Sequence, residues 1–502
     1  MVSIQIIDKS SGHYRVVKTI GSSANPAQIE RFYHEGLELV PKLIGQTSLG
    51  FADYADESFT VTLKNGIRSH RLVGPDLLLG RIFDEIGFCR LNDELFRHLV
   101  LSRIVFPSSK LKTVEYLNRY FGTDYHVDTV YRYLDELHGK YKQLLQQISY
   151  EHTLRVLGGV VSIVFYDVTT IYFEAAKEDE LRVTGFSKDG KHQHPQIVLG
   201  LLVSSGGYPL AYEIYEGNKF EGHTMIPVLE SFRQAYQVND LVVVTDAGLM
   251  SRENVEALES HGLNYIIGAR LKNMPEEVKQ KVLSFSLQDG QQQSIPVQEG
   301  TRLVISYSTK RAKKDAYNRE RGLQKLEKAL KKGKLSKTHI NNRGYNKYLT
   351  IKGEVEIAID YDKSRDDAKW DGLKGYLTNT RLSPQQVIEN YTQLWSIEKA
   401  FRISKTDLKI RPVYHRLARR IEAHIAVSFC AYKVYKELER QLMMKFSGKS
   451  PIKVVEVLNS IFAIEVELPN SQQIATIPII TNNEQREILA LFDIEISEKP
   501  KN

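Results

Sequence analysis

A mixed α/β fold is predicted by the middle of the chain, on three observations. VVSIVFYDVTTIYFE and NDLVVVTDAGL are nearly continuous apolar runs, the pattern of strands buried on both faces. Between them, PQIVLGLLVSSGGYPLAYEIYEG reads as two more strands joined through Gly206-Gly207, and TMIPVLESFRQAYQ as a helix. The helix SRENVEALESHG and the strand LNYIIGAR follow the second apolar run. Three adjacent strands, then helix, strand, helix, strand is the order of a ribonuclease-H-like core, a mixed sheet with flanking helices.

The core so read covers 156–270 and resumes at 376–445. Ahead of it, 1–75 is β-rich: SIQIID and YRVVKTI alternate, NPAQIERFYHEGLELVPKLIG has helical spacing behind an Asn-Pro start, and Asn65-Gly66 marks a hairpin. Residues 76–155 read as helical, with LLLGRIFDEIGF and NDELFRHLVLSRIVF both amphipathic. SSKLKTVEYLNRYFG, a break at Gly122 and TDYHVDTVYRYLDELHGKY have the form of a helix-turn-helix. Its second helix, opened by a Thr or Asp cap, would expose His126, Asp128, Thr129, Arg132 and Tyr131 or Tyr133 to bases and phosphates. An ordinary helical hairpin explains the same spacing equally well. Together, 1–155 form an N-terminal α+β region assigned to DNA binding.

Residues 271–375 break the core's order. SIPVQEGTRLVISYS and NKYLTIKGEVEIAIDYDKSRDDAKWDGLKGYLTN are strand-like, and KRAKKDAYNRERGLQKLEKALKKGKLSK between them is a strongly basic helix. This reads as a β-rich insertion whose helix either meets phosphates or is a solvated face. SPQQVIENYTQLWSIEKAFRISKTDL then returns to helix behind a Ser cap and a first-turn Pro, and LARRIEAHIAVSFCAYKVYKELERQLMM reads as a long helix packed under the sheet. In 446–502 the reading is the helix VVEVLNSIFAI and a polar, poorly patterned tail, a region assigned to dimerisation.

The formal net charge of +7 suits a polyanionic partner without requiring one. Two distant cysteines, Cys89 and Cys430, exclude a disulfide framework and a Cys-based zinc site, and fit a reducing compartment. No apolar run approaches the ~20 residues of a membrane helix. A soluble, cytoplasmic, nucleoid-associated protein with no membrane partner is the expectation.

Chemistry concentrates at three carboxylates. In YTQLWSIEKAFRISK, read as one helix, Tyr391, Glu398 and Lys405 recur every seven residues, drifting only about 20° per step. A phenol, a carboxylate and an ammonium then share a face. Alone, that is a solvated helix face. Asp167 and Asp246 shift the balance, each placed at the end of a buried strand, where an acid is costly unless a charge pairs with it. Three carboxylates at one sheet edge can hold magnesium, with manganese as its alternative, and no Cys/His cluster favours zinc. His192, His194 and His223 read as surface-loop residues.

With these residues in view, the chain resembles DDE transposases of the IS4 type, most like the IS1634 group of insertion sequences. FYDVTTIYFE resembles the first-aspartate strand and VVVTDAGLMS the second. DGLKGYLTNT with YTQLWSIEKAFRISKTDLKIRPVYH resembles the glutamate region and its Y-x2-R-x3-E-x6-K signature. The resemblance implies that Asp167, Asp246 and Glu398 bind the metals, and that Tyr391 and Lys405 contact phosphates near the cleaved end. The signature's arginine is Leu394 here, followed by Trp395. Arg402 and Lys399 are its candidate substitutes, on different sides of the helix. Some members stack a flipped base on an aromatic, for which Trp370 is the candidate, against the alternative of a packed core residue.

The implied function is a transposase that binds the terminal inverted repeats of its element, cleaves 3′ ends by metal-dependent hydrolysis and joins them to target DNA. It would act as a homodimer on paired ends. Two alternatives stand beside it: a nuclease of the same fold without strand transfer, and a non-catalytic DNA-binding protein derived from a transposase.

Overall fold

The structure is a computed structural model that describes residues 1–10, 12–43, 66–174, 177–187, 190–249, 251–341, 344–352, 356–467 and 473–495. The chain divides into two compact units, one of Met1–His70, Ala463–Ile479 and Ile496–Asn502, the other of Arg71–Phe462 and Ile480–Glu495.

In the smaller unit, β1 (Val2–Asp8) and β2 (Arg15–Ser23) pair antiparallel, and the helix Pro26–Leu43 lies against both. The helix starts as expected: Asn25 Oδ1 accepts from Ala27 N at 3.0 Å, with proline in the first turn. The strand β3 (Ile67–Leu72) follows. Most of the Asn65-Gly66 hairpin falls on 59–65, outside the described residues.

The larger unit begins with helices. Glu94–Val105 is not amphipathic, as the pattern implied, but buried at Phe96 and at every residue from Leu99 to Val105, including Arg103. It runs against the long helix Ala418–Met444, which covers the polar positions as well. The helices Lys110–Tyr120 and Val127–Leu137 follow, with Gly122 between them at φ 71°. The second is capped by His126, whose Nδ1 accepts from Asp128 N at 3.3 Å, not by Thr123 or Asp124. Asn118 explains the later start: it takes Thr123 Oγ1 and Tyr125 N, both at 2.9 Å, and holds the intervening loop extended.

The central sheet has eight strands: β4 (Ile163–Tyr172), β5 (Gln196–Ser204), β6 (Pro209–Glu216), β7 (Val242–Thr245), β8 (Asn264–Ala269), β9 (Gln292–Gln298), β10 (Thr301–Tyr307) and β13 (Leu373–Thr378) in the order β6-β5-β4-β7-β8-β13-β10-β9. Only β4–β7 and β7–β8 are parallel. The first five strands in that order have the topology expected of the core. β13, β10 and β9, which come from the insertion, extend the same sheet antiparallel. The basic helix Thr309–Lys331 and the hairpin of β11 (Leu349–Lys352) and β12 (Glu356–Ile359) leave it. Val164, Tyr166 and Val168 of β4 enter a core with Met225, Leu229, Phe232, Val243 and Leu258, the side covered by the helices Met225–Tyr236 and Arg252–Ser260.

The tail is more ordered than its composition implied. The helix Pro451–Leu458 ends before the FAI stretch, which opens the strand β14 (Phe462–Glu467). With β15 (Ile474–Ile479) it forms a sheet of order β15-β14-β3. Arg68 pairs with Glu467, and Ser69 Oγ donates to Glu465 at 2.7 Å.

Candidate active site

β4 does not end at Asp167, as the sequence implied, but continues five residues to Tyr172. β7 is the strand that stops there. The parallel register pairs Ile163 with Val242 and Phe165 with Val244. Two residues further, it brings Asp167 beside Asp246, in the first loop position after β7. Neighbouring strands lie about 4.8 Å apart, so the two acids stand on adjacent backbones. Because side chains alternate, Asp167 points away from the core that takes Tyr166 and Val168. The helix Trp395–Thr406 packs on β4 and β5, and none of its residues enters that core.

Asp246 is shaped by its own loop. Its Oδ1 accepts from Gly248 N at 2.8 Å and from Leu249 N at 3.3 Å, an Asx turn. A Cβ on Gly248 would stand 2.9 Å from that same oxygen, so glycine is what admits the carboxylate. Leu249 O then accepts from Asn254 Nδ2 at 2.8 Å, fastening the loop to the helix Arg252–Ser260.

The stretch from Tyr391 to Lys405 is two helices, Pro384–Thr392 and Trp395–Thr406, not one. Between them, Leu394 N donates to Tyr391 O and Ile397 N to Leu394 O, spacings of three residues in place of four. Tyr391 and Leu394 are both buried, and the tightened turn lets both point inward. Tyr391 therefore does not share a face with Glu398 by heptad spacing. Tertiary packing brings it to the site instead. The register carries Asp246 on to Gly268 of β8, and a Cβ on Gly268 would collide with the Tyr391 hydroxyl. Burial, then the charges of Asp246, Tyr376 and Glu398, push the Tyr391 phenol up to about 12. The Tyr376 ring meets it edge-on at 4.9 Å, and Lys374 Nζ lies 4.5 Å from the centre of the Tyr391 ring. Burial and the charge of Arg311 push the Lys374 ammonium down, while Glu398 opposes them. Asp246, Glu398 and Arg311 thus lie within electrostatic reach of the Tyr391 phenol, and Arg311 and Glu398 of the Lys374 ammonium.

Glu398 and Arg402 are exposed and Lys405 half-buried on the second helix. Lys399 is engaged elsewhere: its Nζ meets Glu439 Oε1 at 2.5 Å, and Glu439 also holds Lys436. Leu394, at the signature's arginine position, is a core residue. Trp370 packs on the cluster of Leu271, Val282, Ile295, Leu303 and Ile305, and also lines a cavity of about 520 Å³ with Lys272, Arg311, Arg319 and Lys374. Arg132 is exposed on its helix, as are His126, Asp128 and Thr129. Tyr133 is not offered to solvent as expected: its hydroxyl donates to Asp93 Oδ2 at 2.7 Å, and Tyr131 lies under Arg420, 4.8 Å from its ring centre. His194 Nδ1 lies 3.2 Å from Phe173 O, and His192 Nδ1 accepts from Ser187 N at 3.2 Å, so both histidines tie down loops. Lys374 and Arg311 were not singled out from the sequence. Only the folded chain brings Lys374 within electrostatic reach of Glu398 and of Arg311, which itself pairs with Asp315.

The profile of the family described as Transposase DDE domain matches residues 160–433, more than half of the chain. The chain belongs to this DDE transposase family. The matched span runs from β4 into the long helix and contains Asp167, Asp246 and Glu398. No curated protein matches the chain. Among solved structures, this DDE transposase chain is similar to the piggyBac transposase synaptic complex with hairpin DNA, at 10% identity and TM-score 0.38, covering 78% of this chain and 81% of that one. It is also similar to the Mos1 transposase paired-end complex with left transposon end, at 13% identity and TM-score 0.16, covering 32% of this chain and 53% of the other.

Asp167, Asp246 and Glu398 form an all-oxygen donor set, which suits a hard divalent cation. The β4–β7 register places two of them side by side, and Glu398 reaches Tyr391 electrostatically together with Asp246. Among the described residues, no three His, Cys, Asp or Glu side chains converge closely enough to share one ion as they stand. In donor chemistry the set suits a metal; as placed, its side chains do not converge on one ion. Its third arm is an exposed side chain with three rotatable torsions.

Proposed function

We propose that the chain is a DNA transposase of the IS4 type, most like the IS1634 group, that binds the terminal inverted repeats of its element, cleaves their 3′ ends by metal-dependent hydrolysis and joins them to target DNA. One observation carries this reading beyond the family. What supports it is the parallel register of β4 and β7, which ends at Phe165 and Val244 and, continued by two residues, would bring Asp167 next to Asp246 on the sheet that the Glu398 helix adjoins.

Asp167, Asp246 and Glu398 are the residues that would hold magnesium, or manganese in its place. When bound, the metal supplies activation of the water or 3′-hydroxyl that attacks phosphorus. The protein's own groups do the rest. Lys374 sets positive charge near Glu398, where a backbone phosphate would come to react. Lys405 stands two helical turns from Glu398, about 10 Å along the axis, roughly one to two nucleotides further along a strand. Tyr391, whose hydroxyl is admitted by the missing Cβ of Gly268, is assigned with Lys405 to phosphate contact near the cleaved end. Trp370 lines a cavity whose cations are matched by Asp315, Asp367 and Asp371, and is assigned to a base or sugar near the cleaved end. The exposed face around Arg132 and the basic helix Thr309–Lys331 are assigned to end binding. Paired ends call for two copies of the chain, acting on DNA in the cytoplasm at the nucleoid.

The test is cleavage of a labelled duplex spanning the element's end, with magnesium or with chelator. Cuts at the boundary that disappear in Glu398→Ala and Asp167→Asn are the expected result. An Asp167→Asn protein that still cuts with magnesium overturns the assignment. Cleavage without joined products on a target plasmid reduces the activity to that of a nuclease.

A further inference from the structure

Away from the acids, the larger unit holds a second concentration of charge with no acid in it. A cavity of about 440 Å³ opens at the start of the helix Lys110–Tyr120. Arg103, Lys110, Tyr131, Lys409, His415 and His424 line it, and none of its lining residues is Asp or Glu. Two of these cations are core residues: Arg103 is 5% exposed and Lys110 4%. Burial pushes the Arg103 guanidinium down to about 10 and the Lys110 ammonium well below its usual range, the Arg103 charge adding to the latter.

Neither cation is neutralised from within. No described residue gives the Lys110 ammonium a hydrogen bond or an ion pair. Arg103 Nη2 reaches only His424 Nδ1, at 3.5 Å. His424 Nε2 lies 2.9 Å from Ile410 O, so that nitrogen donates to the carbonyl and Nδ1 is left to accept from Arg103. The nearby acid, Asp135, is held by Arg419 and Arg420, each with Nε at 2.7 Å. Burying an ammonium without counter-charge is unfavourable unless something charged arrives to meet it.

The backbone points the same way. Ser109 caps the helix, accepting from Lys112 N at 3.4 Å, which leaves the first-turn N–H groups of Lys110 and Leu111 without intrahelical acceptors at the cavity wall. We propose that this cavity is a binding site for a phosphate group, taken by the Lys110 ammonium, the Arg103 guanidinium and the helix's first N–H groups. Lys112, Lys409 and the exposed Tyr414 form a rim open to a longer polyanion. The expected source is one backbone phosphate of bound duplex, which rests on the transposase reading. The affinity for phosphate itself does not.

Two measurements on the full chain test this. Thermal unfolding is followed in chloride buffer at constant ionic strength while inorganic phosphate is added. The midpoint should rise and saturate for wild type and Lys110→Arg, and stay flat for Lys110→Met, which should start higher because a buried charge is gone. Binding of a labelled duplex is then measured across salt concentrations. A fall of about 1 in the slope of log affinity against log salt for Lys110→Met identifies the occupant as a DNA phosphate. An unchanged slope with a phosphate-dependent midpoint identifies free phosphate. Lys409→Gln, at the exposed rim, weakens either response and keeps the test open if Lys110→Met does not fold. Absence of both responses in wild type and variants overturns the proposal. Loss of magnesium-dependent cleavage by wild type alongside an intact phosphate response overturns the transposase reading and leaves this site standing.

Discussion

The hydroxyl of Tyr391 occupies the space that a Cβ on Gly268 would fill. A glycine on β8 and a tyrosine more than a hundred residues later are thus one fitted pair. Gly268→Ala should displace the ring, destabilise the fold by roughly 1–3 kcal/mol as overpacking does, and reduce cleavage. Tyr391→Phe on the same background should restore part of the unfolding midpoint. If Gly268→Ala leaves both midpoint and cleavage unchanged, the two do not interlock.

Gly248 has a similar relation to the Asp246 carboxylate, at a remove of two residues. Gly248→Ala crowds Oδ1, which also accepts from Leu249 N at 3.3 Å. Cleavage should fall at least tenfold while the unfolding midpoint moves little, a cost of about 1 kcal/mol or less. Measuring rate and midpoint on the same preparation separates a disturbed carboxylate from a disturbed fold.

Lys399 and Lys405 should behave differently on DNA. Lys399 is held by Glu439, which is 13% exposed, so Lys399→Ala should cost about 1 kcal/mol of stability. The salt dependence of duplex binding should be unchanged. Lys405→Ala should lower that salt slope by about 1. Equal slopes for the two variants would place Lys399 on the DNA after all.

Acid should unfold the protein through His152. Burial, followed by the charge of Lys433, pushes this imidazole down to about 3; Glu437 opposes, while Arg155 and Arg440 add to the lowering. The folded pKa lies below the unfolded value near 6.5, so the unfolded chain binds the proton first. Stability from this group is complete above about pH 6.5 and is lost as pH falls towards 3, at about 1.4 kcal/mol per pH unit at most. His152→Phe should flatten the acid limb of a stability-against-pH curve and leave the limb above pH 7 unchanged.

The element order of the core was legible because it rests on local pattern, whereas the insertion, read as β-rich, holds more helix than strand, the helix Thr309–Lys331 being its longest element. A buried strand is a run of apolar residues, a Ser-Pro start is a helix cap, and an acid inside an apolar run stands out against its neighbours. Where the reading failed, distant residues decided. Nothing in YTQLWSIEKAFRISK announces the turn at Gln393-Leu394, which follows from both Tyr391 and Leu394 being drawn into the interior. The extent of β4 past Asp167 depends on β5, whose Gln196 pairs with Tyr172. The tail forms strands because β3 gives β14 a partner hundreds of residues away.

By itself, then, the sequence determined which residues carry charge and which segments are helix or strand, since propensity and periodicity act over a few residues. Tertiary structure alone decided which of them meet. Strand register set Asp167 beside Asp246. Folding of β13 against β8 and β10 brought Lys374 within electrostatic reach of Glu398. Packing against the long helix buried Arg103 beside Lys110. Each is a contact between segments far apart in the chain, and such contacts depend on how surfaces fit in space, which no local window of residues encodes.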